Sequence, residues 1–307
     1  MGKIIGGQAN AATMCGFGVD ATGIVTVNQQ VPVGGWFGVF GAAARCPLWL
    51  LHGLGWGLGW LAWLLSRKYR SHWRAHVALA GLTPAQARAS VAAAGQMVLE
   101  MPRIWFGRPL PVRWDGLTHI EEAVAQGQSV LFLTPHLGAF ELTVVEHARV
   151  FAGRRDMTVL FRPPPKPEVA PLLAAARERD GLEAVPTTMS GVKRLVQVLK
   201  TGGTVGLLPD QVPLKGLGVW APFFGREAYT MTLAARLAAH ADVVLLAWAQ
   251  RLPWAQGYVI HVAPAPEALS GDKSVAATQV NAWMETLIRQ QPSQYLWGYN
   301  RYKQPHD

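Results

Sequence analysis

Two residues that could carry out acid–base chemistry lie close together in the stretch Ser129–Glu141, S-V-L-F-L-T-P-H-L-G-A-F-E. A neutral imidazole such as that of His136 can take a proton from an alcohol near neutral pH. A carboxylate such as that of Glu141, bonded to the far ring nitrogen, would fix the tautomer and stabilise the imidazolium that forms. The pair therefore predicts general-base catalysis. The alternative is a histidine that caps a helix and a solvated glutamate.

The elements around the pair favour a strand-to-helix turn. Val130–Leu133 is a continuous apolar run, which is typical of a strand buried on both faces. Pro135 ends the strand because it has no N–H to donate. His136 then lies at the strand's carboxyl end, where open α/β sheets hold their ligands. Phe140–Val150 has the pattern of a helix, with Glu141 in its first turn near the positive end of the helix dipole.

Three more polar residues follow predicted strands. Arg162 comes directly after Met157–Phe161 and before three prolines, which stiffen the loop. Its guanidinium could bind a phosphate or stabilise an oxyanion, or it could be a surface charge. Asp210 and Gln211 follow the apolar run Thr204–Leu208, and we expect them at the same edge as the histidine. Asp210 could position acceptor hydroxyls or pair with the arginine, or simply form a turn.

The segment T-P-H-L-G-A-F-E resembles the H-x4-(D/E) box of membrane acyltransferases, here an HX4E motif. It is most similar to the lipid A biosynthesis lauroyl/myristoyl acyltransferase family, part of the lysophospholipid acyltransferase-like superfamily. Four further segments fit this family in order: F-R-P (161–163), L-L-P-D-Q (207–211), A-P-F-F-G (221–225) and Q-Y-L-W-G-Y-N-R-Y-K (294–303). The similarity extends from about Leu48 to Lys303. Val212-Pro213 departs from it, since the family often has an acidic residue after P-D-Q.

The alternation of strand and helix patterns after the histidine predicts an α/β fold. We expect a mixed, largely parallel sheet flanked by helices, which the resemblance describes as glycerolipid acyltransferase-like. We divide the chain into three parts. Residues 1–35 are a disordered or non-native extension, 36–70 a membrane-anchoring apolar segment, and 71–307 the acyltransferase domain.

The anchor prediction rests on Pro47–Leu65, which has no formal charge across 19 residues. As a helix this segment would be about 28 Å long, close to the thickness of a bilayer core. Arg67, Lys68 and Arg70 follow at once and would keep the rest of the chain cytoplasmic. We expect an anchor that lies in the interface or barely spans the membrane. The alternative is a core helix of the soluble domain.

The composition restricts the class of partner. The 307 residues carry a formal net charge of +9, with 13 Trp and only 15% charged residues. A basic surface suits nucleic acid, anionic lipid or an acidic carrier protein, but no nucleic-acid motif is present. There is also no P-loop, no G-x-S-x-G and no zincin spacing. We therefore predict no nucleic acid, no cofactor and no metal, and direct attack by a substrate alcohol.

The resemblance implies a specific reaction. An acyl carrier protein thioester would donate a fatty acyl chain to a hydroxyl of a lipid A precursor, at the cytoplasmic face of the bacterial inner membrane. In this scheme His136 deprotonates the hydroxyl, and Arg162 or backbone N–H groups near Gly138 stabilise the oxyanion. The sequence leaves open an acyltransferase acting on another lipid, such as a lysophospholipid, glycolipid or aminolipid. It also leaves open a non-catalytic protein that binds anionic lipid.

Overall fold

A computed structural model describes residues 18–19, 25–26, 36–161, 176 and 179–306. Its first elements are two short antiparallel strands, β1 (Gly18–Val19) and β2 (Val25–Thr26). The interpretation of residues 1–35 falls mostly outside the described residues, and Arg162 lies outside them as well.

From residue 36 onward, four helices precede the main sheet: α1 (Trp36–Arg45), α2 (Leu48–Leu65), α3 (Arg67–Leu79) and α4 (Pro84–Phe106). Local capping explains the two later boundaries. Ser66 accepts a hydrogen bond from the N–H of Tyr69 and starts α3. Thr83 and Gln86 form a reciprocal capping box around Pro84, which occupies the first position of α4.

Among the described residues the main sheet has seven strands. They are β3 (Val112–Asp115), β4 (Val130–Leu133), β5 (Met157–Phe161), β6 (Leu182–Pro186), β7 (Thr204–Leu207), β10 (Val243–Arg251) and β11 (Tyr258–Pro264), in the order β3-β11-β10-β4-β7-β5-β6. All neighbours pair in parallel except β10 and β11. The predicted mixed, largely parallel α/β sheet is confirmed.

Helices and one hairpin complete the fold. The helices are α5 (Leu117–Ala125), α6 (Phe140–Phe151), α7 (Met189–Lys200), α8 (Leu233–Ala238) and α9 (Lys273–Gln290), and the hairpin is β8 (Gly218–Phe223) with β9 (Arg226–Met231). Alternate residues of β4 enter two cores. Leu131 and Leu133 join one cluster with Met284 of α9, while Val130 and Phe132 join another with the helices on the opposite face. The run is continuously apolar because both of its faces are buried.

Helix α2 packs along α4 through glycines. A Cβ added at Gly95 of α4 would overlap the carbonyl oxygen of Gly55, and one at Gly59 would overlap the carbonyl oxygen of Val91. The opposite face of α2 is apolar and exposed: Trp49, Leu54, Trp56, Leu61, Leu64 and Leu65. By length and composition α2 could cross a membrane, a test that core helices also pass. Only 28% of it is buried, so most of its apolar surface faces outward.

Candidate active site

The sheet register brings His136 beside Asp210. Strands β4 and β7 pair in parallel, with Val130 opposite Thr204 and Leu133 opposite Leu207. His136 lies three positions beyond the end of β4, and Asp210 lies three positions beyond the end of β7. Because parallel strands end at the same edge of a sheet, equal offsets place the two side chains next to each other.

The Asp210 carboxylate holds His136 at two points. One oxygen lies 2.7 Å from the imidazole Nδ1, and the other accepts the backbone N–H of His136 at 2.9 Å. An ionised carboxylate can only accept, so this contact assigns the ring proton to Nδ1. The second ring nitrogen, Nε2, is left as a proton acceptor, and the side-chain nitrogen of Gln211 lies 3.0 Å from it. The imidazole therefore has the tautomer that a general base requires.

Charged and polar neighbours keep Asp210 ionised although it is buried. Burial raises the pKa of this carboxyl, but the charge and hydrogen bonds of His136 and the charge of Arg301 outweigh it, and the pKa falls below its usual value. Burial and the neighbouring Asp210 raise the pKa of the Tyr295 phenol well above its usual value. The phenol thus keeps its proton and donates a hydrogen bond to the carboxylate.

The carboxylate found at Nδ1 is that of Asp210, for which we expected contact with acceptor hydroxyls or Arg162. Glu141 lies in the first turn of α6, as predicted, and is buried there. One of its carboxylate oxygens accepts the indole N–H of Trp105 at 3.2 Å. The role of Glu141 in orienting the histidine stays a prediction, and so does the role of Arg162.

The segment Pro135–Ala139, which we call the histidine turn, is fixed by its backbone. Gly138 has φ 61°, and a Cβ there would overlap the carbonyl oxygen of Ala249. The N–H of Gly138 donates to the carbonyl oxygen of Gln294 at 3.0 Å, and that of Ala139 to the carbonyl oxygen of Ala249 at 2.9 Å.

These bonds correct one expectation. From His136 to Ala139 every backbone N–H already has an acceptor, because those of His136 and Leu137 donate to Asp210 and to Pro135. An amide N–H that donates within the fold is not available to an oxyanion. The N–H groups of His136 to Ala139 are therefore excluded as oxyanion donors, and other backbone donors near Gly138 stay a prediction.

The histidine itself is reachable from outside. Its side chain is 16% exposed, against 2% for Asp210. The ring of Phe140 packs beside it, with 4.7 Å between ring centroids. A hydroxyl that approaches Nε2 would therefore meet a partly desolvated base whose other nitrogen is already paired.

The carboxyl-terminal motif supports the site, although its sequence did not reveal how. The backbone N–H of Leu296 donates to the carbonyl oxygen of His136 at 3.3 Å. The hydroxyl of Tyr299 accepts the N–H of Val212 at 3.0 Å, just after Gln211. Tyr295 lies close to Asp210, as described above. The available signal was the order of the motifs along the chain, which gave no contacts.

Two concavities flank the site without including His136. A cavity of about 210 Å³ lies beside Trp105 and Arg149. A wider groove of about 560 Å³ lies between α2 and the segment after β10, with Trp56, Arg251 and Gln294 in its lining. The wider groove therefore reaches Gln294, whose carbonyl oxygen accepts the N–H of Gly138.

Comparison with known proteins assigns a family. The family model for bacterial lipid A biosynthesis acyltransferases matches residues 34–304. The lipid A biosynthesis lauroyltransferase of Escherichia coli K12 is 26% identical over 280 residues, covering 87% of this chain and 89% of that protein. The palmitoleoyltransferase of the same organism is 26% identical over 217 residues, 68% of each chain. A Haemophilus influenzae lipid A biosynthesis acyltransferase is 27% identical, and the match spans 59% of this chain and just over half (56%) of that relative.

Proposed function

The chain belongs to the bacterial lipid A biosynthesis acyltransferase family, and from that premise we propose that it is an O-acyltransferase that moves a fatty acyl chain from a thioester to a hydroxyl of a lipid A precursor. The observation that carries the chemistry is the contact between His136 Nδ1 and the buried Asp210 carboxylate. It leaves Nε2 as a base at the carboxyl end of the strands, where the His136 side chain is partly exposed. The relatives named as lauroyl- and palmitoleoyltransferases support a fatty acyl group.

The reaction follows from the geometry of the pair. Nε2 of His136 takes the proton of the acceptor hydroxyl as that oxygen bonds to the thioester carbonyl carbon. The carbonyl π electrons move to the oxygen and form a tetrahedral oxyanion. Its collapse reforms the carbonyl and breaks the carbon–sulfur bond, and the imidazolium returns the proton to the departing thiolate. Asp210 stabilises the imidazolium while it exists.

The contact of Gln211 with His136 supports a position for the acceptor hydroxyl beside Nε2. Its side-chain nitrogen lies 3.0 Å from His136 Nε2, which is hydrogen-bond distance for the proton that the base must remove. An incoming hydroxyl would displace this amide, which could then bond the acceptor. We keep Arg162 as the donor to the oxyanion or to a phosphate, since the backbone of the histidine turn is already engaged.

The donor and the location are further parts of the proposal. An acyl carrier protein is acidic, and the net charge of +9 on this chain suits it. We place the protein at the cytoplasmic face of the inner membrane, with α2 lying in the interface. Because α2 packs by close glycine contacts along α4, which is itself buried against the core, it runs along the domain surface. Its outward apolar face would enter the lipid, and the exposed Arg67 and Lys68 would meet anionic head groups.

The experiment is lipid mass spectrometry after deletion of the gene and complementation. We expect a lipid A precursor to lose one acyl chain on deletion, and the wild-type copy but not the His136→Ala copy to restore it. Loss of the chain from a different lipid would support an acyltransferase with another acceptor. Restoration by His136→Ala would contradict the catalytic proposal and favour lipid binding without chemistry.

A further inference from the structure

A buried cluster of polar and charged side chains joins α2 and α4 to the strands β10 and β11. Glu100 of α4 is fully buried, and its carboxylate accepts hydrogen bonds from the guanidinium of Arg251 at both oxygens, one of them at 2.8 Å. The hydroxyl of Tyr258 donates to it at 2.8 Å. His52 of α2, also buried, lies 3.0 Å from the same carboxylate through Nε2. One glutamate therefore contacts a helix and two strands.

The Glu100 carboxyl is ionised in the folded protein. Burial raises the pKa of Glu100, but Arg251 and His52 lower it to about 2. Buried ion pairs contribute little net stability, because removing two charges from water costs about as much as their attraction returns. A two-point contact between a guanidinium and a carboxylate does, however, fix the relative orientation of both groups. The effect we attribute to this pair is therefore on geometry.

A short path leads from this pair to the histidine. The backbone N–H of Arg251 donates to the side-chain oxygen of Gln294 at 2.9 Å, and the side-chain nitrogen of Gln294 donates back to the carbonyl oxygen of Arg251 at 2.8 Å. The carbonyl oxygen of Gln294 accepts the N–H of Gly138. Two residues, Arg251 and Gln294, thus connect Glu100 to the backbone two positions after His136.

We propose that Glu100, Arg251 and Gln294 are positioning residues for His136. They fix the backbone of the histidine turn through Gly138 and set its position relative to α2. None of them contacts the imidazole, so none is a base or an acid in the reaction. Asp210 fixes the imidazole ring through Nδ1. Glu100, Arg251 and Gln294 fix the backbone of the turn that carries this ring. The inference rests on the acyl transfer proposed above. It extends that proposal because the position of His136 then depends on how α2 packs against the domain.

The test removes both charges at once. Glu100→Met/Arg251→Met removes both members of the buried ion pair, so neither is left without the other and a folded protein is expected. We expect kcat for acyl transfer to fall about 10²-fold with KM within about twofold, since small misplacements of a catalytic group cost about this much. Hydrogen exchange at the amides of Gly138 and Ala139 should become faster. The matched control is Glu183→Met/Arg194→Met, an ion pair between β6 and α7, which should change neither quantity.

A second variant covers the case in which the double variant does not fold. Gln294→Met leaves the Glu100–Arg251 pair intact and removes only the two side-chain bonds to Arg251. It should lower kcat and speed the same two amides in the same direction. Combining it with the double variant should add little, because residues on one path are not additive.

Each result has one meaning. Wild-type kcat and unchanged exchange in Gln294→Met, or in a folded double variant, would overturn the positioning role. If the wild-type protein transfers no acyl group, the proposed function fails instead. The exchange rates at Gly138 and Ala139 then still decide whether the path holds the turn.

Discussion

Two buried carboxylates in the described part of the chain, Glu100 and Asp210, each have a histidine, a tyrosine and an arginine nearby, but their contacts differ. At Glu100 the guanidinium of Arg251 contacts both carboxylate oxygens directly. At Asp210 the nearby Arg301 is buried, and its guanidinium donates to the carbonyl oxygen of Tyr229 at 2.8 Å and to the hydroxyl of Thr230 at 2.7 Å. It acts on Asp210 by its charge.

The difference shows how similar groups can serve structure or chemistry. A carboxylate whose oxygens are taken by a guanidinium is a fixed link between elements. At Asp210 the arginine is bound elsewhere, and both carboxylate oxygens bond His136, one at Nδ1 and the other at the backbone N–H. The exposures agree with this division, since the side chain of His136 is 16% exposed and that of His52 is 9% exposed. The cluster with the more open histidine is the one to which we assign catalysis.

The largest expected effect comes from His136→Ala. Loss of the base should lower kcat for acyl transfer by about 10⁴-fold, the upper end of the range for general-base catalysis. His52→Ala, the same change in the other cluster, should cost much less, because His52 removes no proton. Turnover by the purified variants with an acyl thioester and a lipid acceptor measures both. Equal losses would remove the distinction between the clusters.

The second prediction compares the two carboxylates near the histidine. Asp210→Asn should lower kcat about 10³-fold, because an amide can present an N–H to Nδ1 and favour the wrong tautomer. Glu141→Gln retains an oxygen for the indole N–H of Trp105 and should cost less. Steady-state kinetics of the two variants, with circular dichroism to verify folding, give the order. A larger loss in Glu141→Gln would return the orienting role to the HX4E pair.

The sequence predicted the fold and the position of His136 after a buried strand well, for reasons that are local. The apolar run Val130–Leu133 and Pro135 suffice to end a buried strand just before His136. The partner of the histidine was not predictable in the same way. Asp210 lies 74 residues away and becomes a neighbour only through the pairing of β4 with β7. Glu141 was favoured because it is close in sequence.

The contact between Glu100 and Arg251 could not be predicted from the sequence for a related reason. Glu100 occurs in an amphipathic helix, and an isolated glutamate there is typical of a solvated face. Its partner Arg251 is 151 residues further along the chain. Only the layering of α2, α4 and β10 reveals that the charge is buried. The family motifs mark Gln294, but motif order alone does not show that it contacts Arg251 and Gly138.

A third prediction concerns the shell around Asp210. Tyr295→Phe keeps the buried ring and removes the hydroxyl that bonds the carboxylate. Asp210 would then have more freedom to rotate away from the imidazole, and we expect kcat to fall about tenfold with KM little changed. Tyr258→Phe, the equivalent change at Glu100, should cost less than threefold because Arg251 still holds that carboxylate. A comparable loss in both variants would mean that the two hydroxyls matter equally and that the clusters do not differ in this respect.

The last prediction uses another buried histidine, His147, which has no carboxylate hydrogen-bonded to it. Within the described part of the chain neither ring nitrogen of His147 has a hydrogen-bond partner, and burial, with a smaller contribution from Arg155, lowers its pKa from 6.5 to about 3. The folded protein therefore keeps this imidazole neutral while the unfolded chain takes up a proton below about pH 6.5. That uptake lowers the free energy of unfolding as the pH falls from about 6.5 towards 3.

Replacing this histidine should remove that slope. For His147→Leu we expect a free energy of unfolding close to wild type at pH 8 and about 2–3 kcal/mol higher than wild type near pH 4.5, at 1.36 kcal/mol per pKa unit. Acyl transfer at neutral pH should be unchanged, since the residue lies along α6 and away from the histidine turn. Denaturant unfolding at the two pH values measures the difference, with the less buried His240→Gln as the control. An identical pH dependence in wild type and His147→Leu would mean that the folded protein protonates His147, and that a buried imidazole here needs no carboxylate partner.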